Sequence, residues 1–198
     1  MPGEGDGRLR AEEPAEAREG SGPILRRRGI QRPAVGVRGA GSSVREGDTE
    51  GREPAVEFLS VGDEPAPAAV SAVLGLAEGA SACVRRRRLL LDGKPVLLAT
   101  SSLDAVLVAG TPIAEPDSGP GGIYARLAEL GYEPVRFREE LRSRMPSPEE
   151  TERLGLAAGT PVVLVCRTAF AADGRAVEVD EMVLDASAYV LEYEFDAP

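Results

Sequence analysis

One pattern occurs twice in this chain, and no other feature restricts its fold as tightly. Residues 67–79 and 148–159 each read as a short helix, acidic or alanine-rich, closed by Leu-Gly-Leu and followed by a tight turn. An apolar strand containing arginine comes next in both places, over 82–91 and 162–171. Each strand runs into a turn, Asp92-Gly93-Lys94 and Asp173-Gly174-Arg175, and Leu-Asp-Ala recurs beyond it at 103–105 and 184–186. Asp-Gly accepts positive φ at both turn positions, so it predicts a hairpin. A period of about 81 residues is too long for a solenoid and predicts two halves of one domain.

Strand alternation sorts the charges. Past Asp173-Gly174, the arm over 177–184 sets Glu178 and Asp180 on one face, and Val177, Val179 and Glu181 on the other. Acids on one strand face are ordinarily solvated. The four arginines 85–88 split the same way, Arg85 with Arg87 and Arg86 with Arg88. One pair then lines a pocket while the other meets solvent, and alternation leaves open which.

Composition removes whole classes of chemistry. The chain of 198 residues has no histidine, which excludes Ser-His-Asp, Cys-His and zinc–imidazole centres. Its two cysteines, Cys83 and Cys166, lie inside apolar strands without metal-ligand spacing and read as small buried hydrophobes. No metal site, cofactor or catalytic residue is predicted. A net charge of −10 opposes a broad grip on nucleic acid. No run reaches the length of a membrane span and no signal peptide is present, so a cytoplasmic protein is expected.

Residues 1–53 read as a disordered, low-complexity tail, because Gly, Pro, Glu and Arg dominate and the apolar residues are scattered without a period. Residues 54–198 read as the folded domain; the 42% apolar content of the whole chain supports a core. Within the tail, Arg26, Arg27, Arg28 and Arg32 form a small basic cluster, either a polyanion-touching arm or a solvated charge run. In the domain, Gly119-Pro120-Gly121-Gly122 feeds a helix over 123–130 that Gly131 ends. The loop follows no clear strand, so it is no phosphate-binding fingerprint, and an ordinary turn is the simpler reading. A strand over 135–144 alternates apolar and charged residues. Ser147-Pro148-Glu149-Glu150 then opens the second repeat helix with a serine cap and acids in the first turn.

Taken in order, Gly122-Ile123-Tyr124-Ala125-Arg126-Leu127, Pro148-Glu149-Glu150 with Leu154-Gly155-Leu156, Gly159-Thr160-Pro161-Val162, Arg167-Thr168, Asp173-Gly174-Arg175 and Tyr189-Val190 resemble the UTRA ligand-sensing domain. That domain is the C-terminal half of GntR-superfamily transcription regulators of the histidine-utilisation-repressor branch. The resemblance implies an α/β (α+β), chorismate-lyase-like fold: a mostly antiparallel sheet with flanking helices in two pseudo-repeated halves. It further implies a homodimer and a small anionic effector, a sugar phosphate or carboxylate, bound in the sheet's pocket. The ligand-binding set carried over from it is Arg86, Arg87, Ser101, Ser102, Arg167, Glu178 and Tyr189, the anion-binding arginine falling on Arg86 or Arg87. The second arginine of phosphosugar-binding members falls on Leu89, the acid of the first return strand on Ala99, and the arginine before Tyr189 on Ala188.

Members also carry a winged helix-turn-helix ahead of the sensor. No amphipathic helix pair precedes Glu53, so DNA contact is expected only through a reader not evident here. The leading expectation is an effector-sensing, DNA-controlling module. A dimerisation partner that sequesters full-length relatives and a chorismate-lyase-type enzyme are the alternatives.

Overall fold

The computed structural model describes Leu25–Arg28 and residues 54–193; the rest of the stretch read as a tail lies outside the described residues. The repeat appears as two β-α-β-β units. The first is β2 (Pro54–Pro65), α1 (Ala68–Leu74), β3 (Ser81–Leu91) and β4 (Lys94–Asp104). The second is β5 (Arg136–Arg144), α4 (Pro148–Leu154), β6 (Val162–Phe170) and β7 (Ala176–Asp185). Between them lie α2 (Ala105–Val108), a 3₁₀ turn over Pro112–Ala114 and α3 (Gly122–Glu129). β1 (Leu25–Arg28) pairs in parallel with β8 (Tyr189–Glu192), so part of the stretch read as a tail is a strand. That pairing joins residues far apart in the chain and leaves no local periodic signal.

The two units meet at β4 and β7 in one antiparallel sheet of order β2-β3-β4-β7-β6-β5. The expected α+β class, a mostly antiparallel sheet with flanking helices, is the architecture found. On the back face, α1 buries Val70 and Leu74 against Ala176 and Val179, and α4 buries Leu154 against Leu98 and Val162. The front face holds two apolar clusters. One gathers Leu89, Leu97, Val165, Met182 and Leu184 under β8; the other gathers Leu103, Ile113, Ile123, Leu127 and Val177 under the segment that joins the units.

Local chemistry sets most boundaries. Ser147 caps α4 through a capping box with Glu150, and Gly155 ends it in the left-handed region. Pro67 precedes α1 and offers no side-chain cap. The first return strand runs through the polar Thr100-Ser101-Ser102 to Asp104, because β3 pairs with it as far as Ala82–Asp104 while β7 pairs with it from Leu97 to Ser102. α2 and the 3₁₀ turn are too short to show a period. Each is marked by a cap instead, since Asp104 and Thr111 accept from Val106 N–H and Ile113 N–H.

Candidate functional site

Register carries the front-face polar groups into one line. Arg85 lies opposite Ser101, Ser101 opposite Asp180, Asp180 opposite Arg167, and Arg167 opposite Glu139. Five adjacent strands thus each contribute one polar side chain to a single row between the two apolar clusters. In a buried setting such groups must satisfy one another. Arg167 donates from Nε and Nη2 to Glu139 Oε1 at 2.8 and 2.6 Å, and its guanidinium stands 5.6 Å from the Phe137 ring centroid. Tyr193 donates to the other Glu139 oxygen at 3.1 Å. Arg87 reaches in from the next row, donating to Ser101 Oγ and Asp180 Oδ2, both at 2.8 Å, while Ser101 donates to Asp180 Oδ1.

Glu178 departs from this completeness. It is 1% exposed, and neither carboxylate oxygen has a partner in hydrogen-bond geometry, although the Ser101 hydroxyl and the Tyr124 phenol lie beside it. Burial pushes its carboxyl above the usual carboxylate range and Asp180 adds to the rise, with Arg87 acting against them. Tyr124 descends from α3, and its phenol is pushed well above its ordinary value by burial and by the Glu178 charge. For Arg87, burial opposes the charged form, but Asp180 and Glu178 outweigh it and hold the guanidinium above its ordinary value. A buried acid with two vacant acceptors, walled by arginine, serine and tyrosine, can take a group that brings donors of its own.

Arg85 does different work. Its guanidinium donates to the backbone carbonyls of Ile113, Glu115 and Pro116, which ties the joining segment down over the row. Beyond it, Gly121 opens α3 at φ 82°, where an added Cβ would meet Ala125 Cβ at 2.7 Å, so only glycine fits. In that loop Gly122 N–H donates to Gly119 C=O, which closes an ordinary turn.

Of the seven residues drawn from the sequence, Arg87, Ser101, Arg167 and Glu178 converge on the row. Arg86 and Ser102 do not, since alternation along β3 and β4 turns them to the back face, where Arg86 pairs with Glu64 at 2.5 Å. Tyr189 packs against the apolar cluster of Leu97, Met182 and Leu184. A back-face cleft of about 570 Å³ between α1 and α4 is lined by none of the seven. Sequence reasoning left Arg85, Tyr124, Glu139, Asp180 and Tyr193 out of the set. Glu139 did carry a signal, an acid on the strand face that also bears Phe137 and Leu141. Tyr124 carried none, because only the packing of α3 brings it to Glu178.

A mostly antiparallel sheet built from two βαββ halves, with a buried polar row across its front, defines the class: an effector-binding domain of GntR-type transcription regulators. The UTRA domain family model matches residues 49–190, and the chain belongs to that family. It is 38% identical over 136 residues to an uncharacterised HTH-type transcriptional regulator of Streptomyces coelicolor, SCO4628, which covers 67% of this chain and 51% of that one. The chain therefore spans about half the length of that relative. The fold matches the effector domain of PhnF from Mycobacterium smegmatis with a TM-score of 0.67, at 24% identity over 75% of this chain and 91% of that one. It matches the C-terminal domain of the histidine utilization repressor from Pseudomonas syringae with a TM-score of 0.64, at 16% identity over 73% and 100%. Among the described residues no helix is long and apolar enough to cross a membrane.

Proposed function

We propose that the front-face row is the effector site, and that the chain is a non-catalytic sensor that acts in the cytoplasm and passes its ligand state to a DNA-reading partner domain. The observation that carries this reading is Glu178, an almost fully buried acid with both acceptors vacant beside Arg87 and Ser101. Leaving such a group unsatisfied costs about 1–3 kcal/mol or more, a penalty that a donor-bearing ligand removes. The buried and half-buried acids and bases around it already match in number: Arg85, Arg87 and Arg167 against Glu139, Glu178 and Asp180. An anionic ligand group therefore gains an arginine only by displacing Asp180 or Glu139 from it. The effector class that fits is bipolar, with a carboxylate or phosphate for Arg87 or Arg167 and a hydroxyl or ammonium for Glu178.

A thermal-shift screen with sugar phosphates, amino acids and aromatic acids finds the ligand, because binding to the native state alone raises the melting temperature. Calorimetric titration of Arg87→Ala and Glu178→Ala with that ligand is then expected to show losses of about 1–3 kcal/mol each. Unchanged affinity in both variants would place the effector elsewhere.

A further inference from the structure

The Arg167–Glu139 pair reaches outward as well as inward. One Glu139 oxygen accepts from Arg167, and the other accepts from the Tyr193 hydroxyl at 3.1 Å, so one carboxylate bridges the buried row and the end of β8. Tyr193 directly follows Glu192, the last residue of β8, and is 37% exposed. Glu139 lies on β5, the outermost strand, and among the described residues no strand pairs beyond it. Its side chain is 2% exposed, yet a turn toward the rim brings the carboxylate to water beside Tyr193. Asp180, the other acid that holds an arginine of the row, has no such exit. It sits on β7 in the middle of the sheet and accepts from Ser101 as well as Arg87. Glu139 is therefore the acid that an incoming anion displaces at the smaller cost, because a carboxylate released to the rim regains its hydration.

β8 is poorly equipped to hold itself in place. Its four half-buried residues form a two-stranded sheet with the four residues of β1. A ribbon of that size is not stable by itself, so its position depends on what anchors it. The anchors include Tyr189 and Leu191 against the cluster of Leu97, Met182 and Leu184, and the Tyr193–Glu139 bond at its end. β1 lies outside residues 49–190, which the family model matches. The ribbon is thus where the buried row reaches a stretch that precedes the matched domain.

We propose that Glu139 is a tethered competitor for the anion seat on Arg167, and that Tyr193 passes its displacement to β8 and β1. With the seat empty of ligand, Glu139 fills it and holds Tyr193. An anionic group that takes the Arg167 donors sends Glu139 to the rim, Tyr193 loses its fixed acceptor, and the β1–β8 ribbon loosens. The two arrangements differ in a defined set of contacts, which is what a ligand needs to shift a population between them. The inference rests on the front-face row being the effector site, but its test uses no effector.

Two measurements on the full chain test it. The first is hydrogen exchange over residues 25–28 and 189–192. Tyr193→Phe removes one hydroxyl and is expected to speed exchange there about threefold or more while β6 and β7 stay unchanged, since opening of a marginal segment follows the few contacts that close it. The second is the melting temperature in about 10 mM inorganic phosphate against chloride of equal ionic strength, because an anion that binds only the native state raises it. Glu139→Gln keeps the shape of the side chain without its charge, so phosphate is expected to raise its melting temperature by a few degrees and to leave wild type nearly unmoved. Glu139→Gln combined with Arg167→Leu, which lacks the seat, is expected to respond as little as wild type. Melting curves without phosphate check that each variant is folded, and Tyr193→Phe, which leaves the buried row in place, decides the matter alone where Glu139→Gln is too unstable to measure. Equal responses to phosphate in wild type and Glu139→Gln, a response that survives Arg167→Leu, or exchange at β1 and β8 indifferent to Tyr193→Phe overturns the proposal. Titration of Arg87→Ala and Glu178→Ala tests the site itself, so failure of the site and failure of the device are read separately.

Discussion

The two halves of the sheet follow one chain path and surround equivalent arginines with opposite chemistry. In the first half, Arg87 lies between Phe58 on β2 and Ala99 on β4. In the second half, Arg167 lies between Glu139 on β5 and Asp180 on β7. Two residues along β7, the same contrast sets Glu178 where β4 has Leu97, about 81 residues earlier. Arg87 thus has no acid of its own and borrows Asp180 across the seam between the halves. A symmetric scaffold became an asymmetric site because one half kept apolar neighbours while the other gained acids. The acids of the buried polar network all lie on the second half, where breaking it carries the larger penalty.

The sharpest way to break this contrast is Glu139→Ala. It leaves the Arg167 guanidinium, whose side chain is only 10% exposed, without its carboxylate, and urea unfolding is expected to show a loss of about 3–5 kcal/mol. The control in the first half is Glu64→Ala, which frees Arg86 on the back-face edge, where the pair is 35% and 44% exposed. There the expected loss stays under about 1 kcal/mol. Comparable losses at the two sites would erase the distinction.

Glu178→Gln sharpens the comparison from the other side. A carboxyl whose folded-state pKa is raised binds its proton more tightly in the folded protein than in the unfolded one. Below the ordinary value of 4.5 both states are protonated and nothing is lost; as pH rises above it, the unfolded chain ionises first and stability falls until the raised folded value is passed. The amide removes that slope. The variant is therefore expected to melt higher than wild type at neutral pH, with a flatter pH profile above 4.5, while losing effector affinity. A lower melting temperature at neutral pH would show that the ionised Glu178–Arg87 interaction outweighs burial.

The repeat helices give a third, smaller contrast. Ser147 and Glu150 close a capping box on α4, whereas Pro67 gives α1 no side-chain cap. Ser147→Ala is expected to lose about 1 kcal/mol by denaturant titration, and Pro67→Ser to change stability by less than about 1 kcal/mol, in the stabilising direction. Arg144, together with the Ser147 backbone N–H, holds the Glu150 carboxyl down to about 2. Its contribution is complete above the ordinary carboxylate value of 4.5 and is lost as pH falls from there toward 2. Arg144→Ala should therefore matter less at pH 3 than at pH 7, in thermal melts at both values.

The sequence by itself determined what depends on neighbours along the chain. Two Asp-Gly hairpins, the glycine stops at Gly75 and Gly155, and the Ser147 cap were all legible, because turn and cap chemistry acts within a few residues. Alternation also showed that Glu178 keeps company with Asp180 and that Arg85 keeps company with Arg87. Only the tertiary structure decided which face of the arginine run looks inward, since alternation separates two faces without saying which is covered. It chose Arg85 and Arg87 by packing the joining segment and α3 over that side, and so turned Arg86 and Ser102 to the back. It also brought Tyr124, Glu139 and Tyr193 to the row, all through contacts between residues distant in sequence. The burial of Glu178 is of the same kind: a carboxylate on a strand looks identical in solvent and in a core until the elements above it are placed.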